Sequence, residues 1–385
     1  MRDTVPTPAY VTVGVSHSRD AATAVREATE ALALDETRFL LVFVPQGHDL
    51  KALAAALGQR CGGVPVFGCT SAGQITEMGY ETEAFLVLAF PKAHFRCASV
   101  LFEPLNPLQI TGIATHAKRL AENFSHTAGW NRLALVFADG LSKQEDLLIS
   151  ALSNVLDDMP VFGGSAGDGL QFEETFVLHN ATFHRDAALL VLLETNLGFQ
   201  GLGFDHFLPT DRQVVITEAN PRERLVYEIN GAPAACEYAR LVGCKVEDLS
   251  PQVFAENPML VEHNQNHYVR AISDATEGHA LSFLAAIDDG LIMSLGKGRE
   301  IMATLTDGLA IADCSGRAPD FILGFDCALR KLEIEHKQLS GAVSAVFRDR
   351  RVYGFNTFGE QHRGLHMNQT FVGIAFFGTD ADGLT

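Results

Sequence analysis

The sequence predicts an α/β N-terminal half built from a duplicated βαβ unit, followed by an α+β C-terminal domain. The first observation is a glycine-rich turn that occurs twice, as PVFGCTSAG at 65–73 and as PVFGGSAG at 160–167. The second is that the segments around the two turns, 39–75 and 133–169, share one pattern. Each has an apolar run, a stretch with helical spacing and a short second apolar run. A match of this extent predicts two copies of one strand–helix–strand unit.

The elements of each unit follow from hydrophobic periodicity. FLLVFV and LALVF are continuous apolar runs of the kind found in strands buried on both faces. Between the strands, apolar residues recur three or four positions apart, which predicts an amphipathic helix. These residues are Leu50, Leu53, Ala54 and Leu57 in the first unit and Leu147, Leu148, Ala151, Leu152 and Val155 in the second.

The chain changes character near residue 208, and we predict domains over 1–208 and 209–385. Before the boundary, residues 175–194 predict two strands joined by a turn around Asn180. After it, strands and a few helices are expected. The predicted elements are strands at 214–217, 226–229 and 369–377, a helix beginning near Pro233, a helix from 321 to about 335 capped by Asp320, and a hairpin over 342–360.

Composition excludes several functional classes. The 385 residues carry 29 Lys and Arg against 47 Asp and Glu, a net charge of −18, which disfavours nucleic acids and anionic membranes. The longest apolar runs are strand length, and MRDTVPTPAY lacks the apolar core of a signal peptide. Seven scattered cysteines indicate reduced thiols. We therefore expect a cytoplasmic protein.

The small residues of the two turns have two interpretations. Their backbone N–H groups could cradle a ligand, as anion nests do, or the turns could be tight strand exits that need glycine. The candidate pocket residues are Gly68, Cys69, Thr70, Ser71, Gly164 and Ser165. An enzyme with Cys69 or Cys314 as nucleophile is a weaker alternative, because neither cysteine has a His or Asp partner at a recognisable spacing.

Nearly the whole chain resembles the FIST family of bacterial sensory proteins. The duplicated VPVFGCTSAGQI and PVFGGSAGDG stretches resemble the FIST N domain. VYEINGAPAACEY (226–238), DCSGR (313–317) and YGFNTFGEQHRGLHMNQT (353–370) resemble the FIST C domain. The resemblance implies a small-ligand sensor rather than an enzyme. The chain is similar to the subset of FIST proteins that bind haem b, sense nitric oxide and regulate a partner histidine kinase.

A haem iron needs an axial donor, usually histidine, in an apolar and aromatic pocket. Under this resemblance, His206 is the first candidate because Phe204 and Phe207 flank it, and His184 is a second. Histidines in polar or helix-surface contexts are expected to be solvated; they are His17, His48, His116, His126, His336 and His362.

The alternative is a haem-free FIST sensor of a small metabolite such as an amino acid. Arg317, Glu360 and Asn368, together with the glycine turns, would then supply polar contacts to the ligand. For Glu360 and Asn368, hydrogen bonding within hairpins and turns is an equally good interpretation.

Overall fold

The structure is a computed structural model that describes residues 10–157, 159–263 and 265–378. The stretch assessed above for a signal peptide lies almost entirely outside the described residues. The elements up to residue 123 are β1 (Thr12–Ser16), α1 (Ala21–Thr29), β2 (Thr37–Val44), α2 (Leu50–Arg60), β3 (Val66–Thr70), β4 (Gln74–Thr76), β5 (Gly79–Glu81), β6 (Phe85–Pro91), β7 (Phe95–Phe102) and α3 (Ile110–Asn123).

The elements that follow lie between residues 131 and 298, and the last eight strands among them form one eight-stranded sheet. They are β8 (Asn131–Ala138), α4 (Glu145–Ser153), β9 (Val161–Ser165), β10 (Val177–His179), β11 (Thr182–His184), β12 (Ala188–Thr195), β13 (Gly198–Phe204), β14 (Phe207–Asn220), β15 (Leu225–Ile229), β16 (Ala232–Pro233), α5 (Ala234–Val242), α6 (Pro251–Glu256), β17 (Met259–His263), β18 (Asn266–Arg270), β19 (Ile272–Ala275), β20 (Leu281–Phe283) and β21 (Ile292–Gly298).

The last part of the chain begins after residue 298. It comprises α7 (Ile301–Gly308), β22 (Phe321–Cys327), α8 (Ala328–His336), α9 (Ser340–Asp349), β23 (Val352–Thr357), β24 (Glu360–His362), β25 (Leu365–Met367) and β26 (Phe371–Phe377). The mixed α/β character expected from the sequence is confirmed.

Three six-stranded sheets share one strand order. The first is β1-β6-β2-β3-β10-β11, the second β7-β12-β8-β9-β24-β25 and the third β13-β26-β22-β23-β4-β5. In each, the two middle strands are a parallel pair, namely β2 with β3, β8 with β9 and β22 with β23. The sequence predicts two βαβ copies; that duplication stays a prediction, whereas the parallel pair is observed three times.

Each sheet ends in a hairpin from another part of the chain. The hairpin β10–β11 follows the second parallel pair but joins the first sheet through β3. Likewise β24–β25 joins the second sheet through β9, and β4–β5 joins the third through β23. Because the exchange is cyclic, no sheet is complete without strands from the others. Strands on both sides of residue 208 therefore share sheets; the predicted domain boundary itself stays a prediction.

An aromatic core fills the space between the three sheets. Phe43, Phe137 and Phe325 occupy equivalent positions on β2, β8 and β22, and all are fully buried. The Phe43 and Phe137 ring centroids are 6.1 Å apart, and those of Phe137 and Phe325 are 6.4 Å apart. Phe355 of β23 stacks on Phe43 at 4.4 Å. Burial of such large side chains is the main driving force holding the sheets together.

Two sequence predictions for the C-terminal half are wrong. Residues 321–327 form the buried strand β22 rather than the first turns of a helix, because every side chain of FILGFDC is buried between layers. Residues 342–347 lie in α9 rather than in a hairpin. Val343 and Phe347, four residues apart, form its buried face, which is helical spacing. The predicted strands at 214–217, 226–229 and 369–377 and the helix after Pro233 are confirmed.

The described helices are short. Among the residues that the structure covers, no helix has the length and apolar character needed to cross a bilayer.

Three glycines explain why the turn motif recurs. A Cβ on Gly68 would overlap the carbonyl oxygen of Val42 on the neighbouring strand. A Cβ on Gly163 would overlap that of Val136 in the same way, and one on Gly354 that of Gly324. At each parallel pair, glycine is therefore required by the close approach of two backbones.

Replacing Gly163 with Ala is expected to destabilise the protein by at least ~3 kcal/mol, because strands β8 and β9 must separate to admit the methyl group. Chemical denaturation followed by circular dichroism measures the change. The control is Gly341→Ala in α9, where a Cβ meets nothing within 4 Å and stability should be unchanged or slightly raised. Equal stability of the two variants would contradict the steric account.

Candidate functional site

The carboxyl ends of the three second strands meet in a closed ring of backbone hydrogen bonds. Thr70 ends β3, Ser165 ends β9 and Asn356 is the last residue but one of β23. Each of the three exchanges two backbone hydrogen bonds with a turn from another part of the chain. The partners, at 2.8–3.2 Å, are Gly167 and Phe176 for Thr70, Phe358 and Gly359 for Ser165, and Ala72 and Gly73 for Asn356. We call this arrangement the strand-end ring.

The predicted residues of the glycine turns are brought together here, and most are buried and satisfied within the protein. Ser71 donates to the Val44 carbonyl at 3.2 Å, and the hydroxyl of Ser165 accepts from Gln361 at 2.9 Å. Gly164 leaves no room for a side chain beside the Thr357 methyl group. The interpretation of these residues as tight strand exits therefore describes their observed contacts.

Glu360 and Asn368 also lie beside the ring. Glu360 pairs with Gly164 across β24 and β9, and its fully buried carboxyl group accepts from Thr357 and from the hydroxyl of Thr370 (2.7 Å). Burial outweighs these hydrogen bonds and raises the pKa of Glu360 to about 8. Asn368 donates to the Phe358 carbonyl at 3.3 Å. Both side chains hold turns in place.

A cleft of about 340 Å³ opens directly outside the ring, and we call it the strand-end cleft. It lies at the carboxyl ends of β2 and β3, the position where parallel sheets commonly bind ligands. Its lining residues are Pro45, Gln46, Gly47, His48, Leu50, Thr70, Gly167, Asp168, Gln171, Glu173, Glu174 and Phe176. Thr70 and Gly167 thus connect the cleft to both glycine turns.

The floor and one wall of the cleft are built from a well-anchored loop. The Asp168 carboxylate accepts from the backbone N–H groups of Phe172, Glu173 and Glu174 at 2.7–3.0 Å. Thr175 is fixed by a hydrogen bond to the buried Asp139 carboxylate. The loop 168–176 is therefore anchored at both ends by hydrogen bonds, while the side chains of Glu173 and Glu174 are exposed.

His48 gives the cleft a neutral polar group. Burial, and secondarily the charge of Arg19, lowers the pKa of His48, so the imidazole is uncharged at neutral pH. Its Nδ1 atom is buried and has no partner within the protein. The sequence predicts a solvated His48, and the burial of its ring is not predicted. The neighbouring residues Asp49 and Leu50 give no sign that the ring packs against Phe85, with ring centroids 6.1 Å apart.

A larger cleft, of about 620 Å³, is lined by Lys118, Trp130, Arg132, Met159 and Phe199 among others. None of the predicted site residues lines it. We place the candidate site in the strand-end cleft because only there do a cavity, the strand ends and the repeated turns coincide.

The surroundings of His206 are too closely packed for a haem, although its buried Nδ1 atom has no partner in the protein. Its Nε2 atom is 3.0 Å from both carboxylate oxygens of Glu333, and its ring packs on Phe207 with centroids 4.1 Å apart. The side chain is 1% exposed. Phe204 lines two neighbouring cavities, of about 180 Å³ and 450 Å³, and His206 lines neither of them.

The remaining predicted residues lie apart from the ring. His184 pairs with Glu103 at 2.9 Å on the edge strand β11. Arg317 pairs with Asp313 and donates to the Gly378 carbonyl. Burial raises the pKa of Cys69 far above its usual range, which argues against a thiolate nucleophile there; Cys314 is exposed. Among the described residues, no group of three or more His, Cys, Asp or Glu side chains could hold a metal ion.

Glu360 predicts a specific pH dependence of stability. Its pKa of about 8 in the folded protein lies above the ordinary glutamate value of 4.5, so the folded state binds more protons between these two pH values. Stability from this group is fully present below about pH 4.5 and is lost as the pH rises through 8, by at most ~1.4 kcal/mol per pH unit. Urea unfolding of the unaltered chain should show this loss, and Glu360→Gln, which mimics the protonated carboxyl group, should not. Parallel curves for the two proteins would contradict the raised pKa.

Comparison with known proteins supports the sequence resemblance. The FIST N domain matches residues 38–232 and the FIST C domain matches residues 234–363. No curated protein matches the chain. Among solved structures, a cyanuric acid hydrolase from A. caulinodans is similar at 11% identity and a TM-score of 0.27, over 48% of this chain and 71% of that one. FIST domains are small-ligand sensory domains in signal transduction. With both of its domains matched in order, the chain belongs to the FIST family.

Proposed function

We propose that the protein senses a small polar metabolite with an ammonium group, such as an amino acid or an amine, without haem. The single observation that carries this proposal is the strand-end cleft, which both glycine turns help to build. Its volume of about 340 Å³ falls at the lower end of the ~300–1,000 Å³ typical of small-molecule pockets.

The charges around the cleft favour a cation. Asp168, Glu173 and Glu174 are among its lining residues, whereas no Lys or Arg is, and the neighbouring Arg19 is paired with Glu83 at 2.6 Å. Asp168 is already occupied by three backbone N–H groups, and Glu174 pairs with Arg185 at 3.2 Å. Glu173 is therefore the carboxylate best placed for an ammonium group. Leu50 and Phe176 supply apolar surface beside it.

The neutral His48 complements this arrangement. Because its ring is uncharged, it does not repel a cation, and its unpartnered Nδ1 can form a hydrogen bond with the polar part of the metabolite. An ammonium group at Glu173 and a second polar group at His48 would together fix the orientation of a small ligand.

Binding could be transmitted through the loop 168–176. This loop continues into the β10–β11 hairpin, which pairs with β3 of the first sheet. A ligand that bound one arrangement of the loop more tightly than another would shift the populations of the two, and a partner protein that distinguished them would respond.

Glu173→Gln is expected to weaken binding of the stabilising amine by roughly 2- to 5-fold, the effect of one exposed ion pair. Thermal unfolding in the presence of amino acids, their decarboxylated amines and their N-acetylated forms first identifies the ligand class. Amines and amino acids should raise Tm by a few degrees, and the acetylated forms, which lack the ammonium charge, should not. Titration calorimetry then compares the variant with Glu277→Gln, an exposed carboxylate on another surface that serves as the control.

Haem-based sensing of nitric oxide is the outcome that would replace this proposal. Protein from haem-supplemented cells that shows a Soret band, shifted by nitric oxide after reduction, would support an iron site despite the observed contacts of His206. Stabilisation by acetylated and free amines alike would reject the charge argument and leave the fold unaffected.

A sensor histidine kinase is our proposal for the partner, and it rests on the family resemblance alone. The expected result is that the chain changes the rate of kinase autophosphorylation to different extents with and without the amine. Radiolabelled ATP measures this rate. Equal rates in the two ligand states would remove the kinase from the proposal.

A further inference from the structure

His362 is the described histidine whose environment differs most from its sequence interpretation. The sequence places it among solvated histidines, yet its side chain is 8% exposed and stacks on Phe162 with centroids 5.1 Å apart. Neither ring nitrogen has a hydrogen-bond partner in the protein. Burial, and secondarily the charge of Arg363, lowers the pKa of His362 to about 4. A buried imidazole with two unpartnered nitrogens is costly unless something else bonds it.

Glycines on β13 make room for this ring. A Cβ on Gly203 would lie 2.7 Å from Cδ2 of His362, and one on Gly201 would lie 3.3 Å from Cε1. The ring is therefore held between Phe162 on one side and a strand without side chains at these two positions.

The ring also lines a cavity of about 180 Å³ between β13, β18 and the β24–β25 hairpin; we call it the hairpin cavity. Its apolar wall is formed by Phe204, Tyr268, Leu365 and Met367. Asp205 is also present, but its carboxylate accepts from the N–H of Phe207 at 2.7 Å. Arg363 is exposed at the rim. Among the lining residues, the buried side-chain atoms without a hydrogen-bond partner are the two ring nitrogens of His362.

We propose that the hairpin cavity binds a small uncharged aromatic molecule that carries one O–H or N–H donor, with His362 as its hydrogen-bond acceptor. The size fits one ring, since an engineered apolar cavity of ~150 Å³ binds benzene. Phe204 and Tyr268 offer aromatic surfaces for stacking or edge contacts. The donor is required because an unfunctionalised ring would leave the acceptor nitrogen of the neutral imidazole without a partner.

The hairpin cavity is separate from the strand-end cleft. The two cavities share no lining residue: the strand-end cleft carries three acidic side chains, whereas the hairpin cavity has an aromatic and aliphatic wall beside the neutral His362. Binding in the hairpin cavity does not depend on the proposed amine site, and Glu173→Gln is expected to leave it unchanged. Failure of one proposal is therefore distinguishable from failure of the other.

Fluorine NMR with 4-fluorophenol and 4-fluorotoluene tests the proposal on the full chain. The two probes have one ring and similar size, but only the phenol can donate a hydrogen bond. We expect the phenol to bind roughly tenfold or more tightly, because the toluene leaves a buried acceptor unsatisfied. His362→Phe keeps a ring on Phe162 and should abolish this preference, whereas His116→Phe, on the exposed face of α3, should preserve it.

Each outcome decides the proposal. A phenol preference that disappears in His362→Phe and persists in His116→Phe supports it. Equal affinities for the two probes, no binding of either, or a preference unchanged by His362→Phe overturns it. If His362→Phe does not fold, the ratio of the two affinities in the unaltered chain still decides, since a ratio near one contradicts a hydrogen bond to His362.

Discussion

The close approach of two backbones at each parallel strand pair is the constraint on which the rest of this structure depends. At Gly68, Gly163 and Gly354 the neighbouring carbonyl oxygen occupies the space of a Cβ, so glycine is the only residue that keeps the strands together. This contact recurs because the three pairs face one aromatic core and must end at the same level. Their ends can then exchange backbone hydrogen bonds, and the strand-end ring closes.

Closure of the ring explains why the hairpins are exchanged between sheets. Each turn that leaves the ring has already bonded to the next strand end, and its hairpin continues into that neighbour's sheet. The cyclic exchange satisfies the backbone groups of β3, β9 and β23 on both sides. It also brings the glycine turns at 65–73 and 160–167 next to each other, through the hydrogen bond between Gly167 and Thr70. The strand-end cleft lies where these two turns meet. The position of the candidate site is thus a consequence of the ring.

The sequence predicts the two units whose residues are similar, 39–75 and 133–169. It does not predict the third parallel pair, β22 with β23, which is equivalent in structure but not in sequence. The turns near Gly68 and Gly163 share PVFG, so pattern comparison found them, whereas Gly354 stands in VYGFNTFG and is equivalent only through its contact with Gly324. For FILGF the sequence predicts a helix, and wrongly, because an apolar run of that length is compatible with a buried helix or a buried strand. The cleft residues were beyond prediction because His48 and Phe176 are 128 positions apart.

Two buried polar side chains of β24, Glu360 and His362, differ in whether the protein itself satisfies their hydrogen bonds. Glu360 is fully buried, yet its oxygens are bonded to Thr357 and Thr370, so it holds a turn. His362 lies two residues later on the same strand and has no protein partner. A fold that pays desolvation for both side chains recovers the cost internally only for the first. For His362 the compensating interaction must come from outside the chain, either from water or from a small molecule in the hairpin cavity, whose aromatic and aliphatic wall favours a ring with one donor.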